Sequence, residues 1–241
     1  MKIKHTFKRY EKKYLLTRGQ FETILPVLRE CMTEEEYARH TICNIYFDTD
    51  SYELIRTSLA KPPYKEKLRL RSYGVPGEND MIFAEMKKKF DGIVYKRRIE
   101  STPSELRDFL QNGNLLRADE QIQREIQWFL HSYKAVPKAF IGYERIAYFG
   151  RNDLEFRITF DENIRWRDYD LDLLFGDEGE PVLSEDWIVM EIKSPSAIPL
   201  WLVSLLSEQR VYPTSFSKYG MCYTEHLIAK IFGKAGTYHV K

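Results

Sequence analysis

The sequence lacks most of the residues that announce a catalytic centre or a membrane segment. Three cysteines, Cys31, Cys43 and Cys222, are too few and too scattered for a disulfide framework or a thiolate metal knuckle, a usage that fits a reducing compartment. The five histidines stand singly, without metal-ligand spacing. His226, in "TEHLIAKIF", reads as helix packing. No G-x-x-x-x-G-K-[ST] loop is present, and "GKAGT" at 233–237 reads as a tail rather than a phosphate loop. No G-x-S-x-G marks a nucleophile elbow. The longest apolar run, "IPLWLVSLL" (198–206), is far below the roughly 20 residues that span a bilayer. The opening "MKIKHTFKRYEKK" has no apolar stretch of the signal-peptide kind. The expectation is a soluble, cytoplasmic protein. Net charge is also scarce: at +1 the chain is not a globally basic protein that coats nucleic acid indiscriminately.

Charged residues nevertheless make up 30% of the chain, so the two signs nearly cancel and their placement carries the information. Strand-like segments dominate, at 7–16, 40–49, 65–74, 81–90, 93–101, 138–150, 154–167 and 187–194. Asp91-Gly92 predicts a hairpin turn, and "GRND" (150–153) a second. Helical spacing covers 17–31, with a kink or restart expected at Pro26, and also 102–112, 119–134 and 196–210. Thr102, Pro103 and Glu105 form a helix start, and Ile122, Ile126 and Phe129 share one face. "GDEGEP" (176–181) reads as an exposed loop. With no linker, repeat or low-complexity block, residues 1–241 read as one domain.

The strands share a pattern. In "EKLRLRSYG", Lys67, Arg69 and Arg71 point one way, and Leu68 and Leu70 the other. Arg9, Glu11 and Lys13 share a face, as do Glu85, Lys87 and Lys89 opposite Ile82, Ala84 and Met86. Lys96 aligns with Arg98, Tyr143 with Arg145, and Glu191 with Lys193 opposite Ile188, Met190 and Ile192. Glu155, Arg157, Thr159 and Asp161 oppose Phe156, Ile158 and Phe160. A solvated outer face explains any one strand. Across the set, however, the polar face is rich in Arg and Lys with a few isolated carboxylates. Strands of this kind can also close into a barrel with the charges inside and helices on the apolar outside. Such a barrel makes sense as a water-filled tunnel for a polyanion, with the carboxylates holding a divalent metal. Single-strand nucleic-acid binding is disfavoured, because Phe156 and Phe160 alternate away from the basic face.

In this order, "RYEKKYLL", "YFDT", "KLRLRSYG", "EMKKK…VYKRR", "YERIAYFG…LEFRITFD", "VMEIKSP" and "SFSKYG" resemble the VTC domain of the triphosphate tunnel metalloenzyme superfamily. The resemblance runs from Phe7 to Tyr219. It implies an α+β fold, an eight-stranded antiparallel β-barrel with a charged interior and helices outside, binding triphosphate or nucleotide with Mn²⁺ or Mg²⁺. It implies that Lys13, Arg69, Arg71, Lys87, Lys96, Arg145 and Arg157 grip phosphates, and that Lys218, with Ser217, binds phosphate near one mouth. Lys67, Arg98, Tyr143 and Lys193 lie on the same faces and complete the expected binding set. Glu191 would ligate the metal, with Glu11 as the second candidate. The wider superfamily opens with E-x-E-x-K, where this chain reads Arg9-Tyr10-Glu11-Lys12-Lys13. Arg9 in place of one glutamate weakens the case for a two-metal hydrolytic site and for the adenylate cyclase and thiamine triphosphatase branches.

Phosphoryl transfer suits such a composition, since positive charge, a metal and in-line alignment supply most of the acceleration. Arg69, Arg71, Arg145 and Arg157 can each hold a phosphate by two parallel hydrogen bonds. Polyphosphate polymerisation from ATP is the reading the resemblance favours. Hydrolysis of triphosphate or nucleoside triphosphate is the runner-up, followed by a non-catalytic polyphosphate or inositol-phosphate sensor and, last, a scaffold on a dead tunnel. Whether a membrane protein in trans is a partner is left open by the sequence. The sequence leaves open the donor nucleotide, the preferred metal, the product length and the oligomeric state.

Overall fold

A computed structural model describes residues 10–91, 93–114, 116 and 119–232. Arg9, Gly92 and the "GKAGT" segment lie outside the described residues. The chain divides into two units, each assembled from three stretches, so neither is a contiguous segment.

The first unit comprises Met1–His40, Tyr143–Ile164 and Leu183–Ser217. Strand β1 (Tyr10–Thr17) runs antiparallel between β9 (Trp187–Ser194) and the short β10 (Pro213–Thr214). Next to β9 comes β7 (Arg157–Arg167), and β7 neighbours β6 (Val136–Gly150). The period-2 alternation places Tyr14, Leu16, Ile158, Phe160, Ile188, Met190 and Ile192 on one apolar face. That face is covered by Phe21, Ile24 and Leu28 of helix α1 (Arg18–Cys31) and by Leu202, Leu205 and Leu206 of α5 (Leu200–Glu208). Each such buried side chain contributes roughly 1.5–3 kcal/mol. Helix α1 opens with a capping box between Thr17 and Gln20. The restart expected at Pro26 does not occur: α1 is one helix. Pro26 is exposed, so water can reach the carbonyl whose partner N–H is missing.

The second unit comprises Thr41–Gly142, Arg165–Val182 and Lys218–Lys241. Here β2 (Met32–Asp48), β3 (Tyr64–Tyr73), β4 (Ile82–Phe90) and β5 (Ile93–Ser101) pair consecutively and antiparallel, with β6 on the far side of β2. Phe90 faces Ile93 across the two-residue turn expected at Asp91-Gly92, and Asp91 takes the positive φ (44°) that such a turn requires. The inward set Cys43, Ile45, Phe47, Leu68, Ala84, Met86 and Ile99 packs under α3 (Pro103–Asn112) and α4 (Glu120–Tyr133). The capping box on Thr102 and Glu105 is present, and Ile126 and Phe129 are fully buried. The unit also holds α2 (Glu53–Leu59), α6 (Lys218–Cys222), α7 (Ile228–Phe232) and a two-residue strand, β8 (Glu180–Pro181), which pairs with the end of β7 inside the expected "GDEGEP" loop. His226 stacks on Trp166 at 5.0 Å, the packing role its sequence context predicts.

The architecture is thus antiparallel α+β. Among the described residues each ladder has a free end, β10 in the first unit and β5 in the second, where the sequence reading expects an eight-stranded ring.

Candidate functional site

The polar face of the second unit is a grid of cations. The register sets Lys67 opposite Lys87, and Lys87 opposite Lys96, so three lysines line up across β3, β4 and β5. One step along, Lys65 faces Lys89; on the other side Arg69 faces Glu85, which faces Arg98. Like charges placed directly opposite one another destabilise a sheet. Burial, reinforced by the charges of Lys89, Lys61 and Lys87, pushes the Lys65 ammonium below its usual range. Lys65 and Lys89 belong to this face by strict alternation from Lys67 and Lys87, the signal that would have added them to the expected site.

The anion in this grid is Glu85, 2% exposed. Its Oε2 accepts from Arg69 Nε at 2.9 Å and Nη2 at 2.7 Å, with Arg71 Nε at 3.7 Å, while Lys96 Nζ lies 2.9 Å from Oε1. Burial alone would raise its pKa; the charges of Arg69, Arg71 and Lys96 overcome that and hold it at about 2. The neighbouring strand supplies further anchors. Arg71 Nε donates to Asn44 Oδ1 at 3.0 Å, and Asn44 donates to the Ile141 carbonyl at 2.9 Å. Arg69 Nη1 donates to Tyr46 Oη at 3.0 Å, and the Tyr46 ring stacks on Tyr219 at 4.8 Å. Tyr219 Oη donates to the buried Asp48, whose carboxylate also accepts the backbone N–H groups of Leu54 and Ile55. Because Tyr219 follows Lys218, this bond fixes the start of α6, where Lys218 sits directly after Ser217. Arg98 lies over the Phe83 ring at 4.7 Å.

The first unit carries a second group. Lys13 faces Glu191, Glu191 faces Thr159, Glu11 faces Lys193, and Lys193 faces Arg157. Lys193 Nζ pairs with Glu191 Oε1. Lys13 Nζ lies 3.7 Å from both Glu191 Oε2 and Glu11 Oε1, and it donates to the Phe216 carbonyl at 3.2 Å, beside Ser217. Glu191 is largely buried, which opposes its ionisation, yet Lys193, Lys13 and Arg145 hold its pKa at about 2. Arg145 is locked to the fully buried Asp161 by two bonds, Nε to Oδ1 at 2.6 Å and Nη2 to Oδ2 at 2.8 Å, with Tyr143 under its guanidinium at 5.2 Å. Arg157 donates to Glu35 at 3.0 Å and lies over Phe149 at 5.0 Å.

The model of the VTC domain family matches residues 8–226. The chain belongs to that family. No curated protein sequence matches it. Among solved structures, a Bacillus halodurans protein proposed to be an adenylate cyclase aligns with a TM-score of 0.55 at 12% identity, covering 88% of this chain and 95% of that one. A proposed adenylyl cyclase from Hippeastrum, described as having a dominant triphosphatase activity, aligns with a TM-score of 0.51 at 16% identity, covering 87% and 92%. At these identities what is shared is the fold, an antiparallel sheet with helices.

The VTC residues expected to grip phosphate fall on polar strand faces in both units: Lys67, Arg69, Arg71, Lys87, Lys96 and Arg98 in one, Lys13, Tyr143, Arg145, Arg157 and Lys193 in the other. Alternation places Glu85 and Asp161 on the polar faces without a role, and no sequence signal gives Glu35, Asn44 or Tyr46 one. Each is the partner of an expected cation, and only strand pairing brings them together. A divalent metal meets a limited donor set here. Among the described residues, no three His, Cys, Asp or Glu side chains converge on one point. Glu11 and Glu191 do flank a common point, marked by the Lys13 ammonium. Mg²⁺ characteristically takes one or two carboxylates and completes its shell with water and substrate phosphates, so this pair fits an ion that arrives with its substrate.

Proposed function

We propose that this VTC domain is a metal-dependent phosphotransferase acting on triphosphate-containing substrates, and that its reaction is ATP-dependent polyphosphate synthesis. The observation that carries the reading is the row Lys67–Lys87–Lys96, with Lys65–Lys89 beside it and Arg69, Arg71 and Arg98 next in register. A sheet face that opposes lysine to lysine across three strands is stabilised by a ligand carrying several negative charges in series. A triphosphate or a polyphosphate chain has that charge distribution.

In this reading Arg69 and Arg71, oriented by Glu85, Tyr46 and Asn44, hold non-bridging oxygens, and Lys67, Lys87 and Lys96 continue the track. Arg145, Arg157, Lys13 and Lys193 serve the same role in the first unit, and Lys218 with Ser217 holds a terminal phosphate. Glu11 and Glu191 would hold Mn²⁺ or Mg²⁺, which neutralises charge on the transferring phosphoryl group. No side-chain nucleophile is required: the protein supplies fixed positive charge and alignment, and an oxygen of the growing chain's terminal phosphate bonds to the γ-phosphorus of ATP as the bond to the β-phosphate breaks and ADP leaves. The proposal includes the family's closed eight-stranded tunnel, a single domain over 1–241, a cytoplasmic location and a membrane partner in trans. No helix among the described residues is long and apolar enough to cross a membrane.

The test is incubation of the pure protein with ATP and Mn²⁺, followed by separation of polyphosphate from orthophosphate on a gel. A ladder of polyphosphate supports the polymerase. Orthophosphate alone replaces it with a triphosphatase, the activity named for the Hippeastrum protein. Tight triphosphate binding with neither product leaves a sensor.

A further inference from the structure

Glu85 has no place in the gripping set, yet it meets three cations of the second unit's polar face. It is buried at 2% exposure beneath three cations that remain more accessible than it is: the side chains of Arg69, Arg71 and Lys96 are 23%, 8% and 50% exposed. The carboxylate takes the Nε–Nη2 edge of Arg69, the edge a phosphate would use for a two-bond grip. Its second oxygen meets Lys96 from the opposite strand. An ordinary counter-charge on an exposed strand would form one pair. Glu85 instead gathers cations from β3 and β5 onto one buried point, while Tyr46 accepts from Nη1 of Arg69 and Asn44 accepts from the Nε of Arg71 that faces Glu85.

We propose that Glu85 is a built-in counter-anion and positioning residue for the phosphate site: it orients Arg69, Arg71 and Lys96 and caps how tightly they hold a polyanion, so that product leaves. The inference rests on the phosphate-binding reading above. A triphosphate bound on this face experiences the cations and Glu85 together. At an effective dielectric of about 20, one negative charge weakens the binding of a phosphate charge about 12 Å away by about tenfold, and of a nearer one by more. Such attenuation matters for a track along which a charged chain must move, because every site that binds must also release. Neutralising Glu85 should therefore tighten binding and slow turnover together, a pairing that simple loss of structure does not produce.

The experiment compares wild type, Glu85→Gln and Glu85→Asp by calorimetric titration with inorganic triphosphate at low and high salt, by steady-state kcat with ATP and Mn²⁺, and by thermal melting. Expected for Glu85→Gln is a Kd at least about tenfold lower at low salt, a steeper loss of affinity with salt, and a lower kcat. Glu85→Asp, which keeps the charge, should stay within about twofold of the wild-type Kd; it carries the test if the Gln variant does not fold, since a Kd shifted by tenfold or more in the Asp variant overturns the proposal. An unchanged or higher Kd in folded Glu85→Gln, whatever happens to its melting temperature, also overturns it and makes Glu85 a structural ion-pair partner. Failure of the wild type to bind triphosphate is a different result: it removes the phosphate-binding reading itself and this inference with it.

Discussion

Asp161 is fully buried and accepts both bonds of its bidentate pair from Arg145, which makes that pair a strongly desolvated one. Removing one partner of such a pair leaves the other charge unpaired in a poorly solvated place. Arg145→Ala should therefore cost about 3–5 kcal/mol of stability as well as phosphate affinity, read by urea unfolding alongside triphosphate titration. An Arg145→Ala protein as stable as wild type would show that Asp161 finds another partner. The acidic groups give a pH prediction of definite sign. Glu85 and Glu191 titrate at about 2 in the folded chain against an ordinary value of 4.5. A depressed carboxylate stabilises the fold above its unfolded pKa and loses that contribution as pH falls through its folded pKa. Stability should hold down to about pH 4.5 and then fall toward pH 2, by roughly 3 kcal/mol for each group. Melting temperatures across that range check it, and Glu85→Gln should melt with a shallower acid slope.

Among the elements, most strands were legible from alternation, and the charged start of β2 was not. The alternation in β3, β4, β7 and β9 identified both the apolar and the cationic faces. By contrast β2 begins at Met32 rather than near 40, a start hidden by the weak strand propensity of "MTEEEYAR". Helix α1 went the other way: helical spacing was clear, and the proline that should interrupt it is tolerated on the exposed side. Pro26→Ala should therefore raise stability by about 1–3 kcal/mol, measured by denaturant midpoint at unchanged m. Thr102→Ala, which removes the side-chain acceptor of the α3 capping box, should lower it by about 1 kcal/mol.

For the whole molecule, a net charge of +1 conceals a face where lysines oppose lysines. Ligand binding should relieve that repulsion and so stabilise the fold. Triphosphate at a hundred times its Kd adds about 2.7 kcal/mol, an upward shift in melting temperature that high salt should reduce. A melting curve that ignores triphosphate across a wide range would mean that the basic face is only solvated surface.

The sequence by itself determined which residues share a strand face, because alternation is a local property of an extended chain. It also determined the family, through motifs whose order spans nearly the whole chain. Only the tertiary structure decided which carboxylate each cation meets. Glu85 with Arg69, Asp161 with Arg145, Glu35 with Arg157 and Asp48 with Tyr219 join residues 16 to 171 positions apart. Such partners are set by strand register and packing, so the cations of the polar faces could be read from the chain while the groups they pair with could not.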